Sequence, residues 1–273
     1  MDVREISVTS YISKSKLPDA NYVINPYIGC PHKCIYCYAE FMKRFSGHTR
    51  EEWGDFLDVK MCNKPIKGAS FLESDTILFG SVTDAYNPFE KKYEISRKLL
   101  EQMTDCNARI EILTKSDLLL RDIDILKRIP NAYVGISMNT LDDNFRKEIE
   151  PYAVSVERRI NALEKLHSEG IRAYLFMSPI FPGLSDCKEV IQSAYKYVDY
   201  VCFENLNLRG AYLPRVMEYI KEKHSEYYDL FKSIYWNKNM SYWEDLKIQL
   251  VEYCESLKVD YRVYFYHEKI KKK

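Results

Sequence analysis

The sequence has little that would place the protein in a membrane or on nucleic acid. None of its apolar runs is long enough to span a bilayer, and residues 1–5 do not have the character of a signal peptide, so we expect a cytoplasmic protein with no membrane partner. Its 40 Lys and Arg residues balance 40 Asp and Glu residues, which leaves no overall positive field for nucleic acid. The GxGxxG, GxxxxGK and GxSxG motifs of nucleotide-binding and hydrolase folds are absent as well.

The eight cysteines are the first positive signal. In a chain of this size without a signal peptide, cysteines are expected to be reduced thiols or metal ligands. Three of them form a C-x3-C-x2-C motif at positions 30, 34 and 37, and no fourth cysteine lies nearby. The others are scattered, and we expect most of them to be buried small apolar residues: Cys62, Cys106, Cys187, Cys202 and Cys254.

Three thiolates at this spacing allow two kinds of metal site. A structural zinc site needs four ligands, and His32 is the candidate to join the three cysteines in a zinc knuckle. A [4Fe–4S] cluster can instead be held through three irons, which leaves the fourth iron open to bind a ligand and do chemistry. The uneven spacing favours the cluster, and a zinc-knuckle adaptor without enzyme activity is the alternative.

Apolar runs and helical patterns alternate through most of the chain. The predicted strands are 22–24, 76–80, 108–113, 133–138, 171–177 and 200–203, and the predicted helices between them are 93–103, 122–128, 155–169 and 186–197. Such alternation predicts βαβ units and a parallel sheet. The cysteine motif follows the first strand, and ligands of α/β folds gather on the loops at the carboxyl ends of strands.

From about residue 211 the alternation stops. The sequence there predicts helices at 215–223, 226–234 and 242–257, a final strand at 261–266, and a solvated basic tail at 269–273. We therefore predict a core at 1–210, with an extended lead-in at 1–20, and a mainly helical extension at 211–273 that packs on the core.

The residues around the cysteines narrow the interpretation. Tyr36 lies between the second and third cysteines, residues 25–27 are Asn-Pro-Tyr, and Tyr38 and Ala39 follow the last cysteine. The motif resembles that of the radical S-adenosylmethionine (SAM) superfamily, and its flanks resemble the spore photoproduct lyase-like branch. The resemblance covers roughly residues 20–210. It implies an α/β fold, the partial (β/α)6 radical SAM barrel, to which this sequence adds a helical C-terminal extension ending in a strand.

The resemblance also implies a chemistry. Cys30, Cys34 and Cys37 are expected to hold a [4Fe–4S] cluster, and SAM is expected to chelate its open iron through the amino and carboxylate groups. A low-potential electron donor of the flavodoxin or ferredoxin type then supplies the electron that splits SAM into methionine and a 5′-deoxyadenosyl radical. That radical takes a hydrogen atom from the substrate.

Polar residues follow the predicted strands where SAM is expected. Thr83 and Asp84 resemble a Thr/Ser-Asp pair of the branch, and we assign them the SAM ammonium; an Asx-type turn is the alternative for this pair. Glu150-Pro151 and Arg158-Arg159 resemble another element of the branch, so Arg159 is assigned the SAM carboxylate, with Arg158 as the fallback. The other predicted SAM contacts are Tyr36 and Phe181 at the adenine, Lys115 at the carboxylate or ribose, and Ser137 and Asn139 at the ribose and methionyl groups.

One position departs from the branch. Spore photoproduct lyases have a hydrogen-donating cysteine just before the Thr/Ser-Asp pair, and this sequence has Ser81 there. A serine O–H bond is too strong to give up hydrogen readily, so repair of spore photoproduct by that mechanism is not expected. We expect a small-molecule or peptide substrate, recognised in part after residue 205, with a nucleic-acid-directed radical SAM enzyme as the alternative.

Overall fold

The computed structural model describes residues 1–266. Within them the strands are, in chain order, β1 (Asp2–Ser7), β2 (Ile12–Lys14), β3 (Tyr22–Ile24), β4 (Tyr27–Ile28), β5 (Phe56–Met61), β6 (Thr76–Phe79), β7 (Arg109–Thr114), β8 (Ala132–Ser137), β9 (Arg172–Ile180), β10 (Tyr200–Asn205) and β11 (Asp260–Val263). The basic tail predicted at 269–273 lies outside the described residues.

Eight of these strands form the main sheet, in the order β11-β10-β9-β8-β7-β6-β3-β2. The six central ones, β3 and β6 to β10, run parallel to their neighbours. At the edges, β2 pairs antiparallel with β3, and β11 pairs parallel with β10. The sheet does not close on itself, so the chain has the predicted α/β fold with six central strands, a partial barrel.

Helices connect the parallel strands. The α-helices are Glu90–Tyr93, Ile95–Glu101, Ile123–Leu126, Asp143–Ile149, Val156–Ser168, Cys187–Ala194, Tyr212–Lys223, Tyr228–Tyr235 and Ser241–Leu257, and the 3-10 helices are Tyr38–Phe45, Gly68–Ser70, Leu118–Asp122, Tyr195–Tyr197 and Ser225–Tyr227. The helix predicted at 155–169 has the expected caps, since Ser155 Oγ accepts a hydrogen bond from Arg158 N and Gly170 follows with φ of 71°. The helix predicted at 93–103 is two short helices, interrupted at Glu94, whose φ is 53°.

The sheet has a buried outer face and a face that lines a cavity, as β7 illustrates. Ile110 and Ile112 are fully buried in the main hydrophobic core. Glu111 and Leu113 alternate with them and line the cavity. Because side chains of a strand point alternately to opposite faces, the strands β6 to β10 supply both core and cavity residues.

The lead-in predicted at 1–20 as merely extended contains paired strands. β1 pairs parallel with β5, and β4 pairs antiparallel with β5, which gives a second sheet of three strands. Gly29, just after β4, has φ of 92°, and a Cβ there would lie 2.4 Å from the carbonyl oxygen of Phe56. Only glycine lets the chain pass this close to β5, so the small sheet holds the start of the cysteine loop.

The C-terminal helices pack against the barrel strands. Tyr235 donates a hydrogen bond to the carbonyl oxygen of Leu206, and Trp243 is 1% exposed within the same hydrophobic core as the barrel. The chain then returns to the sheet as β11, slightly earlier than the strand predicted at 261–266. Within residues 1–266, no helix combines the length and the apolar character that crossing a membrane requires.

Candidate functional site

The cysteine loop begins directly after β4. Lys33 N donates a hydrogen bond to Cys30 O at 3.4 Å, and Cys37 N donates one to Cys34 O at 3.2 Å, so two successive turns carry the three cysteines. Lys33, with φ of 53°, sits in the first of them. Cys30, Cys34 and Cys37 are all partly exposed, and all three line one cavity of about 290 Å³.

The spacing of the thiols tests the two kinds of metal site. Tetrahedral zinc holds its sulfur ligands about 4 Å from one another, because Zn–S bonds are about 2.3 Å long. Among the described residues, no three ligand atoms drawn from the three cysteines and His32 lie within 4.8 Å of one another. His32 Nδ1 instead faces Asp84 Oδ2 at 3.4 Å. In each such trio at least one pair of ligand atoms is therefore too far apart for a preformed zinc knuckle, which leaves the cluster as the favoured interpretation of the three thiols.

The environment of the thiols keeps them protonated until a metal binds. Burial raises the pKa of all three, to about 12 for Cys30. Trp53 Nε1 donates a hydrogen bond to Cys37 Sγ at 3.2 Å, which favours the thiolate there. Because the thiolate is the ligand, iron binding must displace a proton from each cysteine.

Asp84 connects the cysteine loop with the carboxyl ends of β6 and β7. Its Oδ1 accepts hydrogen bonds from Thr114 Oγ1 at 2.7 Å and from Tyr86 N at 2.8 Å, and its Oδ2 accepts one from Lys115 N at 2.8 Å. The bond from Tyr86 N forms the Asx-type turn that was the alternative reading of this segment. Thr83 Oγ1 donates to the carbonyl oxygen of Gly29 at 2.6 Å. Both Thr83 and Asp84 also line the cavity, so the turn does not exclude a role in ligand binding.

A buried network lies behind the cysteines. Tyr36 Oη and an Arg159 NH2 group both donate hydrogen bonds to the carboxylate of Glu150. The same guanidinium also binds the carbonyl oxygens of Ser137 at 2.9 Å and Val154 at 3.1 Å. Burial by itself would raise the pKa of Glu150, but the charges of Arg159 and Lys115 and the two donors lower it overall. The network therefore holds an ionised carboxylate in the interior.

Eight of the predicted site residues share the cavity, and three do not. The eight are Cys30, Cys34, Tyr36, Cys37, Thr83, Asp84, Lys115 and Ser137. Arg159 is fully buried in the network just described. Phe181 packs edge-on against the Tyr36 ring, with centroids 5.6 Å apart, and so supports that ring from behind.

Asn139 is the third residue away from the cavity lining. Its Nδ2 donates to the carbonyl oxygen of Pro179 at 3.1 Å, while its buried Oδ1 has no hydrogen-bond partner among the described residues. A buried acceptor without a partner is uncommon and is usually satisfied by water or a ligand. The orphaned oxygen is therefore consistent with a polar ligand group at the end of β8.

The cavity continues into the barrel, past residues that the sequence analysis did not single out. They include Glu111, Tyr174, Cys202, Glu204, Arg209 and Arg262. Gly135 makes room there, because a Cβ at this position would lie 2.3–2.6 Å from atoms of the Tyr174 ring. The signal that could have found several of them is the period-two alternation of β7, β9 and β10, whose inward positions carry polar and aromatic side chains.

Comparison with known proteins identifies the family of the chain. The family model of the radical SAM superfamily matches residues 24–194. An uncharacterized protein of Methanocaldococcus jannaschii is 36% identical over 239 residues, which is 85% of this chain and 88% of that protein. A radical SAM Nα-GlyT isomerase of Pseudomonas phage M6 is 29% identical over 167 residues, which is 58% of this chain and 33% of the phage protein.

Solved structures show the same fold. Spore photoproduct lyase in complex with a dinucleoside spore photoproduct aligns with a TM-score of 0.57 at 16% identity, over 80% of this chain and 66% of that one. This chain thus spans slightly less than two thirds of the length of that lyase. Together with the family match, these findings show that the chain belongs to the radical SAM superfamily and is an enzyme whose cofactors are a [4Fe–4S] cluster and SAM.

Proposed function

We propose that the protein cleaves SAM reductively at a cluster held by Cys30, Cys34 and Cys37, and that it abstracts hydrogen from a small molecule or peptide inside the barrel. The observation that carries this proposal is that the three thiols share one cavity with Asp84, Lys115 and the inward side chains of the barrel strands. When bound, cluster and SAM supply a 5′-deoxyadenosyl radical after one-electron reduction by a low-potential donor. The residues of this chain then have to bind, orient and shield the reactants.

Different side chains around the cysteines bind different functional groups of SAM. Thr83 and Asp84 accept hydrogen bonds from the ammonium, and Ser137 and Asn139 bind the ribose and methionyl groups. Tyr36, backed by Phe181, forms the wall for the adenine. The positions of Thr83, Asp84, Ser137 and Tyr36 in the lining of the cavity support these roles.

The SAM carboxylate needs a cation. Arg159 was predicted to bind this carboxylate, and that contact stays a prediction. The guanidinium of Arg159 is already engaged with Glu150 and two carbonyl oxygens, away from the cavity lining. Lys115 lines the cavity, and its ammonium lies 5.9 Å from the centre of the Tyr36 ring. Burial would lower the pKa of Lys115, but nearby negative charge, foremost that of Glu150, raises it overall, so the side chain stays charged. We therefore propose that Lys115 binds the SAM carboxylate and that Arg159 positions Glu150 and Tyr36.

SAM cleavage is the direct test of this proposal. Protein reconstituted without oxygen and reduced with dithionite should convert SAM into 5′-deoxyadenosine and methionine, slowly when no substrate is present. Asp84→Asn should weaken SAM binding roughly 10- to 100-fold, because a charge-assisted hydrogen bond contributes about 1.5–3 kcal/mol. Asp117→Asn, which changes an exposed ion pair with Arg158, is the matched control and should bind SAM normally. Methylthioadenosine as the only nucleoside product would contradict the proposed cleavage.

The phage relative suggests a second outcome for the substrate radical. Its name describes an isomerase, a reaction in which the abstracted hydrogen can return to the substrate. If this chain works in the same way, SAM is regenerated and 5′-deoxyadenosine does not accumulate with turnover. Comparing moles of product with moles of 5′-deoxyadenosine, once a substrate is known, separates the two outcomes.

Repair of spore photoproduct should be weak or absent. Ser81 lines the cavity, and its Oγ accepts a hydrogen bond from Asn25 Nδ2 at 2.9 Å, so a hydroxyl stands where the related lyases have a donor thiol. A repair enzyme must also extract the lesion from the stack, which costs a few kcal/mol and needs phosphate contacts that a net charge of zero does not favour. The assay is incubation of reduced enzyme and SAM with a photoproduct dinucleotide, beside a spore photoproduct lyase as positive control. Recovery of thymidylyl-thymidine over many turnovers would show that the missing cysteine is irrelevant.

A further inference from the structure

The helix Tyr38–Phe45, which starts directly after Cys37, has an unusual outer face. Phe41 and Phe45 on it are 43% and 66% exposed. The guanidinium of Arg44 lies between their rings, 5.5 Å from one centroid and 5.2 Å from the other. We call Phe41, Lys43, Arg44 and Phe45 the helix patch. Exposed aromatic rings grouped with cations are typical of contact surfaces.

The inner face of the same helix contacts the cluster ligands. Ala39 and Met42 pack with Trp53 and Phe56 in a small hydrophobic core, and Cys30 and Cys37 pack against that core. The helix therefore lies directly beside these two thiols. A 3-10 helix rises about 2 Å per residue, so the helix patch extends no further than roughly 16 Å along the helix axis from Cys37.

The charge of the helix patch is positive. Lys43 and Arg44 form no ion pair with any residue in 1–266, whereas Glu40 on the same helix is neutralised by Arg215 at 2.7 Å. The whole chain has no net charge, so this is a local feature and fits an acidic partner.

The position of the helix patch indicates which kind of partner binds there. Tyr38 and Ala39 line the cavity, but residues 40–45 do not. A substrate must reach into the cavity to react, whereas a protein that delivers an electron needs only to come close to the cluster. The helix patch is close to the thiols and outside the cavity, which is the arrangement that an electron donor requires.

We propose that the helix patch is the docking surface for a small acidic electron-transfer protein that carries a low-potential flavin or iron–sulfur centre. The donor is oxidised by one electron and the cluster behind Cys30 and Cys37 is reduced by one electron, and no bond or proton changes place. This inference rests on the proposed function and adds the place at which the electron donor binds.

The test compares two charge reversals. In one variant, Lys43→Glu and Arg44→Glu are combined. In the matched control, Lys91→Glu and Lys92→Glu reverse an exposed basic pair on helix Glu90–Tyr93, which likewise lies beside an aromatic ring. Binding of a purified acidic flavodoxin to the reconstituted proteins is measured by surface plasmon resonance at low and high salt. We expect the first variant to bind roughly tenfold more weakly or worse, and the control to bind like the wild type.

A second readout separates this inference from the proposed function. SAM cleavage driven by dithionite, which needs no docking, should be unchanged in both variants, whereas cleavage driven by reduced flavodoxin should fall only in the Lys43/Arg44 variant. Equal flavodoxin binding by all three proteins, or none by the wild type, overturns the docking surface and leaves the proposed function intact. The Lys43/Arg44 variant could instead keep its binding of flavodoxin and lose its binding of an oligonucleotide or of a second copy of the chain. That result would assign the helix patch to the occupant that was lost. Failure of the wild type to cleave SAM with dithionite would count against the proposed function.

Discussion

Replacing any one of Cys30, Cys34 and Cys37 with alanine should abolish cluster binding. The wild-type protein, reconstituted without oxygen, should be brown and hold about four irons per chain, while each variant should be nearly colourless and iron-free. The reason is that the described residues near the loop offer no substitute thiolate and that His32 Nδ1 faces Asp84. Two remaining thiolates hold the cluster too weakly to survive desalting.

Cys62→Ala is the matched control for these variants. Cys62 is a free, partly exposed cysteine whose Sγ lies near the backbone of Lys64, and it is not among the residues that line the cavity. This variant should keep its colour and its iron. Clearly more than four irons per wild-type chain would mean that a second cluster exists and that the remaining cysteines were misjudged. Iron and sulfide analysis of all five proteins decides the matter.

Glu150→Ala should be the most destabilising of the single substitutions considered. Glu150 and Arg159 are both fully buried, and removing the carboxylate leaves the guanidinium charged and without its counterion. Breaking a buried pair in this way costs about 3–5 kcal/mol of unfolding free energy. Tyr36 also loses the acceptor for its hydroxyl, so the wall proposed for the adenine should become mobile. Denaturant unfolding of the reconstituted protein measures the loss.

An exposed pair provides the comparison. Asp117→Ala breaks the salt bridge to Arg158, whose side chain is 54% exposed, and should cost no more than about 1 kcal/mol. Combining Glu150→Ala with Arg159→Met should recover part of the loss, since no uncompensated charge remains. If Glu150→Ala and Asp117→Ala were equally stable, the buried network would not be holding the barrel end together.

The Glu150 carboxylate also makes the stability of the fold depend on pH in a defined direction. The pKa of Glu150 is lowered in the folded protein, so its ionised form stabilises the fold above the ordinary glutamate pKa of about 4.3. This stabilisation is lost as the pH falls from that value through the folded pKa. Unfolding curves of wild type and Glu150→Gln should therefore converge in acid and differ most near neutral pH.

Local patterns were enough to predict the parallel α/β sheet and to identify the three cysteines as candidate ligands of one site. The alternation of strands and helices is repeated within short stretches, and the cysteines lie within eight residues of one another, so neither depends on distant contacts. The helix at Val156–Ser168 was predicted for the same reason, because its apolar residues recur at helical spacing within thirteen residues. The fold class was therefore accessible from sequence, while the assignment of the three cysteines as cluster ligands stays a prediction.

Pairings between distant residues were not accessible. β1 and β5 are about fifty residues apart, and nothing in Asp2–Ser7 indicates which strand it will join. Tyr36 and Glu150 are 114 positions apart, so the hydrogen bond that ties the cysteine loop to the barrel could not be inferred from either segment. The engagement of Arg159 with Glu150, which draws its charge away from the cavity, depends on the same long-range contact.

The return of the chain as β11 extends the cavity beyond the region that the superfamily model matches. The family match ends at residue 194, yet the wall of the cavity continues through Glu204 and Arg209 and is completed by Arg262 and Tyr264. Two chains can therefore have the same shared region and still enclose spaces of different shape and charge. Substitutions at Glu204, Arg209, Arg262 or Tyr264 would therefore change this part of the wall without touching the cysteine loop.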